Sequence, residues 1–299
     1  MAESSKSRTM EPTGPHDTET PAQARPNWRL VDEADGVARF QLSSWSDFFD
    51  FLEQEVFDTA GSGNGDHLVW RGQRRSDWSL STSLDRVFDS LGLLALDANE
   101  LEAHSSAHLE AFIRASRGRR GHNPVRMGSE TDWWALGQHY GLATPLLDWS
   151  RSPFAAAYFA FEEGYGSTEN RVVYGLNERA CRFKSQEIRD AAGATESGRL
   201  PVLEFFDPIS DENPRLVSQG GLFTRSPIGM PIEKWIAGAF DGSDNRVLLR
   251  IEIPNRDRAD ALRTLNRMNI NHLSLFPDLS GASRYSNLRM ELAQRRPKE

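Results

Sequence analysis

The sequence contains a single cysteine, Cys181, among 299 residues. One thiol can form no internal disulfide and supports neither a Cys-based zinc site nor an iron–sulfur cluster, so this chain must be held by packing and hydrogen bonding alone. The material is present: 38 % of the residues are apolar, with eight Trp and sixteen Phe, ample for a globular core. Length by itself allows one large core or two modest ones.

No window approaches the ~18 apolar residues of a membrane span, and the N-terminus lacks a basic-then-apolar targeting pattern. A cytoplasmic protein without a membrane partner is expected. Forty-three acidic residues against 35 basic ones give a net charge of −8, which argues against a nonspecific nucleic-acid coat. A local basic turn at Arg114, Arg117, Arg119 and Arg120 is read most simply as cations at the negative pole of a helix.

Residues 1–27 are rich in Ser, Thr, Pro, Glu and Gln without apolar periodicity, and are expected to be a disordered leader. Residues 28–299 then form one domain, since no solenoid-length repeat and no further shift of composition appears. A helix is expected to open at Ser44, with Trp45, Phe48, Phe49, Leu52 and Val56 on one face. His67–Trp70 reads as a strand ending at Arg71-Gly72. Asp97 and Ser129 cap further helices, and Gly141 stops the second of them. Ser152 and Pro153 start an apolar helix through Phe161. Strands are expected at Val172–Tyr174, Val202–Phe206, Val247–Ile253 and Leu273–Phe276, with helices over Asn255–Met268 and Ser283–Ala293. Helices and strands without regular alternation predict an α+β fold: one central sheet, mainly antiparallel or mixed, flanked by helices.

Three segments are polar where the pattern predicts burial, which is where function tends to break local rules. Trp70-Arg71-Gly72-Gln73 places a guanidinium fork, suited to phosphate or carboxylate, beside a glycine that admits a close neighbour. Gln138-His139-Tyr140-Gly141-Leu142 and Leu146-Leu147-Asp148-Trp149-Ser150 gather an amide, an imidazole, a phenol, a carboxylate and a hydroxyl, a density that burial tolerates only if each group is satisfied. Gln219-Gly220-Gly221 presents an amide on a tight turn, suited to orientation rather than to proton removal. His104 and His108 share a helix face, but no third ligand is evident and no metal is expected.

These segments, in this order, resemble the FRG family, bacterial and phage-linked domains named for a Phe-Arg-Gly motif that stands here as Trp70-Arg71-Gly72. Trp78 and Leu80, Gln138 to Leu142, Leu147 to Trp149, Ser150 to Ala160, Arg215 with Gln219, Gly220 and Phe223, and Leu275 to Gly281 extend the likeness over about residues 40 to 290. Pro145 stands where members often have Arg. The resemblance implies a domain met in phage-defence or toxin-like settings.

An aromatic-Arg-Gly strand followed by an Ala/Tyr-rich helix is also similar to ADP-ribosyltransferases. That similarity implies an NAD-consuming enzyme with Arg71, His139, Asp148 and Gln219 as catalytic candidates. Arg71, Gly72, Gln138, Tyr140, Trp149 and Ser150 are its cofactor-contact candidates, with Tyr140 or Trp149 stacking the nicotinamide. A protein or nucleic-acid acceptor is expected, and Gln219 or Glu252 takes the place of a late glutamate. The alternative is a non-catalytic module that senses a nucleotide or nucleic acid; a nuclease is the weaker alternative, since no cluster of metal-binding carboxylates is apparent.

Overall fold

Along Val37–Leu42 (β2), Ala38, Phe40 and Leu42 are buried and the residues between them are open, the period of a strand with one face inward. Asp35 and Gly36 join β2 to Trp28–Ala34 (β1), both at positive φ, as a two-residue hairpin turn requires. The computed structural model describes residues 26–57, 67–122, 124, 126–164, 168–193, 199–207 and 221–294. Most of the expected leader and Gln219 lie outside the described residues. Asn27, read as the end of the leader, accepts the Ser43 amide and donates from Nδ2 to Asp47.

Leu68–Gln73 (β3), Leu147–Ser150 (β4), Asn170–Asn177 (β5), Glu204–Phe206 (β6), Gly221–Arg225 (β7) and Leu248–Pro254 (β8) complete an eight-stranded sheet of order β1-β2-β8-β5-β3-β4-β7-β6. Only β2 and β8 run parallel. The fold is α+β, with helices on both faces of one mixed sheet.

On one face Pro153–Phe161 (α5) packs its alanines, Tyr158 and Phe161 against Phe40, Trp70, Val173 and Ile251, together with Asp47–Phe51 (α1) and Arg258–Arg267 (α8). On the other, Glu178–Ala192 (α6) and Ile232–Ala239 (α7) cover Val69, Tyr174, Leu176 and Leu248. Burial pushes the Cys181 thiol up, as befits a small apolar residue of α6. Ser83–Ser90 (α2), Ala98–Ser116 (α3) and Glu130–His139 (α4) gather beside β4 and β7.

The structure corrects two expectations of secondary structure. Leu273–Phe276 is not a strand: the Asn271 side chain accepts from the amides of Leu273 and Ser274 and starts a short helix, His272–Leu275 (α9), ahead of Leu279–Gln294 (α10). A local cap thus overrides an apolar run too short to decide by itself. Arg71-Gly72 does not end its strand, because β3 continues to Gln73 in register with β5. The basic turn behaves as a helix end: Arg114 pairs with Glu110, Arg119 donates to the Ala115 carbonyl, and Arg120 lies over the Trp133 ring.

Candidate functional site

β3 keeps register with β5 from Leu68↔Asn177 to Gln73↔Val172, and β4 keeps register with β7 from Leu147↔Thr224 to Ser150↔Gly221. Between them β3 and β4 pair only at Trp70↔Ser150. Beyond that point the two central strands part, and the Arg71 side chain bridges the opening. Its Nη1 donates to the Asp148 carbonyl at 2.7 Å and stands 3.0 Å from Asp148 Oδ1. A guanidinium thus occupies the place of the missing ladder bonds.

Asp148 is crowded by protein, yet its side chain is 54 % exposed. Desolvation pushes its carboxyl up, and the charge and hydrogen bond of Arg71 overcome this, holding it below the usual carboxylate range. Gln138, at the end of α4, donates from Nε2 to Asp148 Oδ1 at 3.4 Å, while its Oε1 accepts the Thr144 hydroxyl at 2.5 Å. Thr144 in turn is tied to α2: its amide donates to Ser83 Oγ and its carbonyl accepts the Leu84 amide.

That last link brings in Arg86, which the sequence reading missed. Arg86 is exposed on α2 and donates to the Ser81 carbonyl. Desolvation, and after it the charge of Arg71, hold its guanidinium below the ordinary value, so the two cations feel one another. The signal was present: Thr82 and Asp85 form a full capping box at the start of α2.

The remaining candidates separate. His139 follows Gln138 and meets the Tyr140 ring edge-on at 4.9 Å; Tyr140 itself is 74 % exposed. Trp149 is core: it is 3 % exposed, and its Nε1 donates to Thr224 Oγ1 at 2.8 Å. The expectation that it stacks on a ligand is therefore withdrawn. Ser150 is buried, with its Oγ accepting the Ser152 amide. Gly72 does admit a close neighbour, but that neighbour is α5: an added Cβ would stand 1.9 Å from the Ala156 carbonyl oxygen. Glu252 is bonded to Arg250 at 2.7 Å and to Asn170 at 3.0 Å, and β5 separates its strand from β3.

Residues 66–169 match the model of the FRG domain. The chain carries an FRG domain. The match spans Trp70-Arg71-Gly72, Gln138 to Leu142 and Leu147 to Ala160, so Arg71, Arg86, Gln138, Thr144 and Asp148 all lie within the FRG domain. The later segments of the expected likeness, from Arg215 to Gly281, fall outside it. No curated protein and no solved structure matches the chain. Among the described residues no group of three His, Cys, Asp or Glu could hold a metal ion, and no helix is long and apolar enough to cross a membrane. His108 instead contacts the Ala143 carbonyl, and His104 packs on Phe88.

Proposed function

We propose that this FRG-domain chain is a nucleotide-using enzyme of the ADP-ribosyltransferase type that consumes NAD, with the opening between β3 and β4 as its cofactor cleft. The observation that carries the reading is Arg71, laid across that opening with its Nη1 on both the carbonyl and the carboxylate of Asp148 and with 19 % of its side chain still open to solvent. A guanidinium so placed can turn its remaining Nη–H groups to an anionic ligand. With Arg86 close by, the pair suits an anion with several oxygens, such as a pyrophosphate.

When bound, NAD supplies a ribosyl–nicotinamide bond whose cleavage opens the sugar to an acceptor. The residues of the chain hold and orient. Arg71 and Arg86 grip the phosphates, and Gln138, anchored by Thr144, fixes the Asp148 carboxylate. Because Asp148 is held ionised, it is a weak base; its part is a fixed negative charge beside the ribose, not proton removal. Tyr140 offers an aromatic face, and His139 beside it serves the acceptor proton. The acceptor is a protein or a nucleic acid, and the setting is bacterial defence or a toxin-like role.

One observation favours a second reading, a pocket that recognises a nucleotide without turning it over: among the described residues the Arg71–Asp148 pair is hydrogen-bonded by the Gln138 amide, which is no base. Nicotinamide release by purified protein discriminates the two. Arg71→Ala is expected to abolish release, and Arg71→Lys to remove most of it, since Lys keeps the charge but loses the planar fork. Folded wild-type protein that binds NAD and releases no nicotinamide with protein or nucleic-acid acceptors leaves the recognition reading. Turnover that survives Arg71→Ala in a folded variant removes the cleft assignment.

A further inference from the structure

Between α8 and α10 lies a cavity of about 300 Å³ whose described lining includes Arg263, Arg267 and Arg289 and no carboxylate, in a chain whose net charge is −8. Three guanidiniums around one small space repel each other unless something anionic stands among them. Arg263 is already balanced: its Nη1 is 3.0 Å from Asp260, and its Nη2 donates to the Leu292 carbonyl. Arg267 and Arg289 are exposed and carry no ion pair among the described residues. Arg289 lies over the Tyr285 ring, 5.9 Å from its centre, which sets a cation and a flat aromatic face at the same rim.

The rest of the lining is apolar or neutral. Leu262 and Leu288 supply hydrocarbon, the buried Tyr158 ring closes one wall, and Asn266 and Asn271 add amides. The volume is at the lower end of what small-molecule sites use, roughly 300–1,000 Å³. A pocket lined by both cations and hydrocarbon fits neither a bare inorganic ion nor a neutral hydrophobe.

We infer that this cavity is a second anion site, separate from the β3–β4 opening, which takes an organic phosphate of mononucleotide size, the phosphate on Arg267 and Arg289 and the base against Tyr285 and Leu288. It rests on none of the residues assigned to the NAD cleft. Tyr158 belongs to α5, the helix whose Ala156 packs on Gly72 beside Arg71, so the two sites share one rigid element.

The test uses the full-length chain carrying Arg71→Ala, so that the outcome does not depend on the first site. Calorimetry with adenosine 5′-monophosphate is expected to show one saturable site. Arg267→Gln with Arg289→Gln is expected to weaken it by at least about tenfold, the effect of losing charge-assisted hydrogen bonds. Both arginines are exposed, so the melting temperature without ligand should hold; Arg267→Glu with Arg289→Glu is the stronger companion. Inorganic phosphate should bind far more weakly than the nucleotide. The inference is overturned if the nucleotide does not bind, if it binds the double variants as tightly as the parent, or if inorganic phosphate binds equally well. Binding of a 5′-phosphorylated oligonucleotide without binding of the mononucleotide also overturns it.

Discussion

Arg71 and Asp148, 77 positions apart, meet through two acceptors on one residue: the Asp148 carbonyl at 2.7 Å and its carboxylate at 3.0 Å. The carbonyl bond holds the guanidinium in place whatever the charge of the carboxylate, and the carboxylate sets the electrostatics of the opening. The two contributions are separable by mutation.

Asp148→Asn keeps the carbonyl acceptor and removes the charge. The variant is expected to fold with a melting temperature close to wild type, because the Asp148 side chain is 54 % exposed and exposed pairs contribute little. Nicotinamide release should fall steeply. The pH dependence has a definite sign: the folded-state carboxyl lies below its ordinary 3.8, so the small stabilisation is present above that value and is lost as pH falls further. Acid titration of the variant should lack that component.

Glu162 should govern stability in the neutral range. Burial pushes its carboxyl from 4.5 up to about 7, against the opposing charges of Arg74, Arg284 and Arg258 and with Glu163 adding to the rise. Its Oε2 stands 3.6 Å from His272 Nδ1, and that nitrogen is 2.6 Å from the Tyr158 hydroxyl. A folded-state pKa raised above the unfolded value means that the native state binds the extra proton. The associated stability is therefore full below 4.5 and is lost as pH rises through about 7. The full span corresponds to about 3 kcal/mol. Urea titrations at pH 5.5 and pH 8 should show this loss, and Glu162→Gln should flatten it.

Gly72→Ala is expected to damage the fold rather than the chemistry. The added Cβ would meet the Ala156 oxygen at 1.9 Å and the Ala160 nitrogen at 2.6 Å, both helix backbone that no rotamer change can clear. Overpacking of this kind costs about 1–3 kcal/mol or more. A thermal melt that is unchanged would show that α5 does not lie against β3 as described.

Trp149→Phe and Tyr140→Ala separate core from cleft. The first removes the hydrogen bond to buried Thr224 and should cost about 1–3 kcal/mol while leaving the affinity of folded protein for NAD unchanged. The second alters a residue that is 74 % exposed and should leave the melting temperature alone while weakening NAD binding. The reverse pattern in calorimetry and melting would return the stacking role to Trp149.

The sequence by itself determined the elements whose signals are local. Asp97, Ser129 and Ser152 cap their helices as their side chains dictate, and the helix with Pro153 in its first turn is buried because it carries no polar face. Equally local signals went unread: Asp35-Gly36 between two strands, and Thr82 with Asp85 at the start of α2. Tertiary structure alone decided the rest. Whether Trp149 or Tyr140 reaches solvent depends on which sheet face the neighbouring elements cover, and no local pattern encodes that. Gln138 reaches Asp148 because β4 lies beside the end of α4, while His139, one residue on, meets the Tyr140 ring instead. Arg86 joins the site because Thr144 docks α2 beside β4, a contact across 61 positions that only the folded chain creates. The opening between β3 and β4 is likewise a property of the sheet: it exists where two strands, each paired on its outer side, stop pairing with one another.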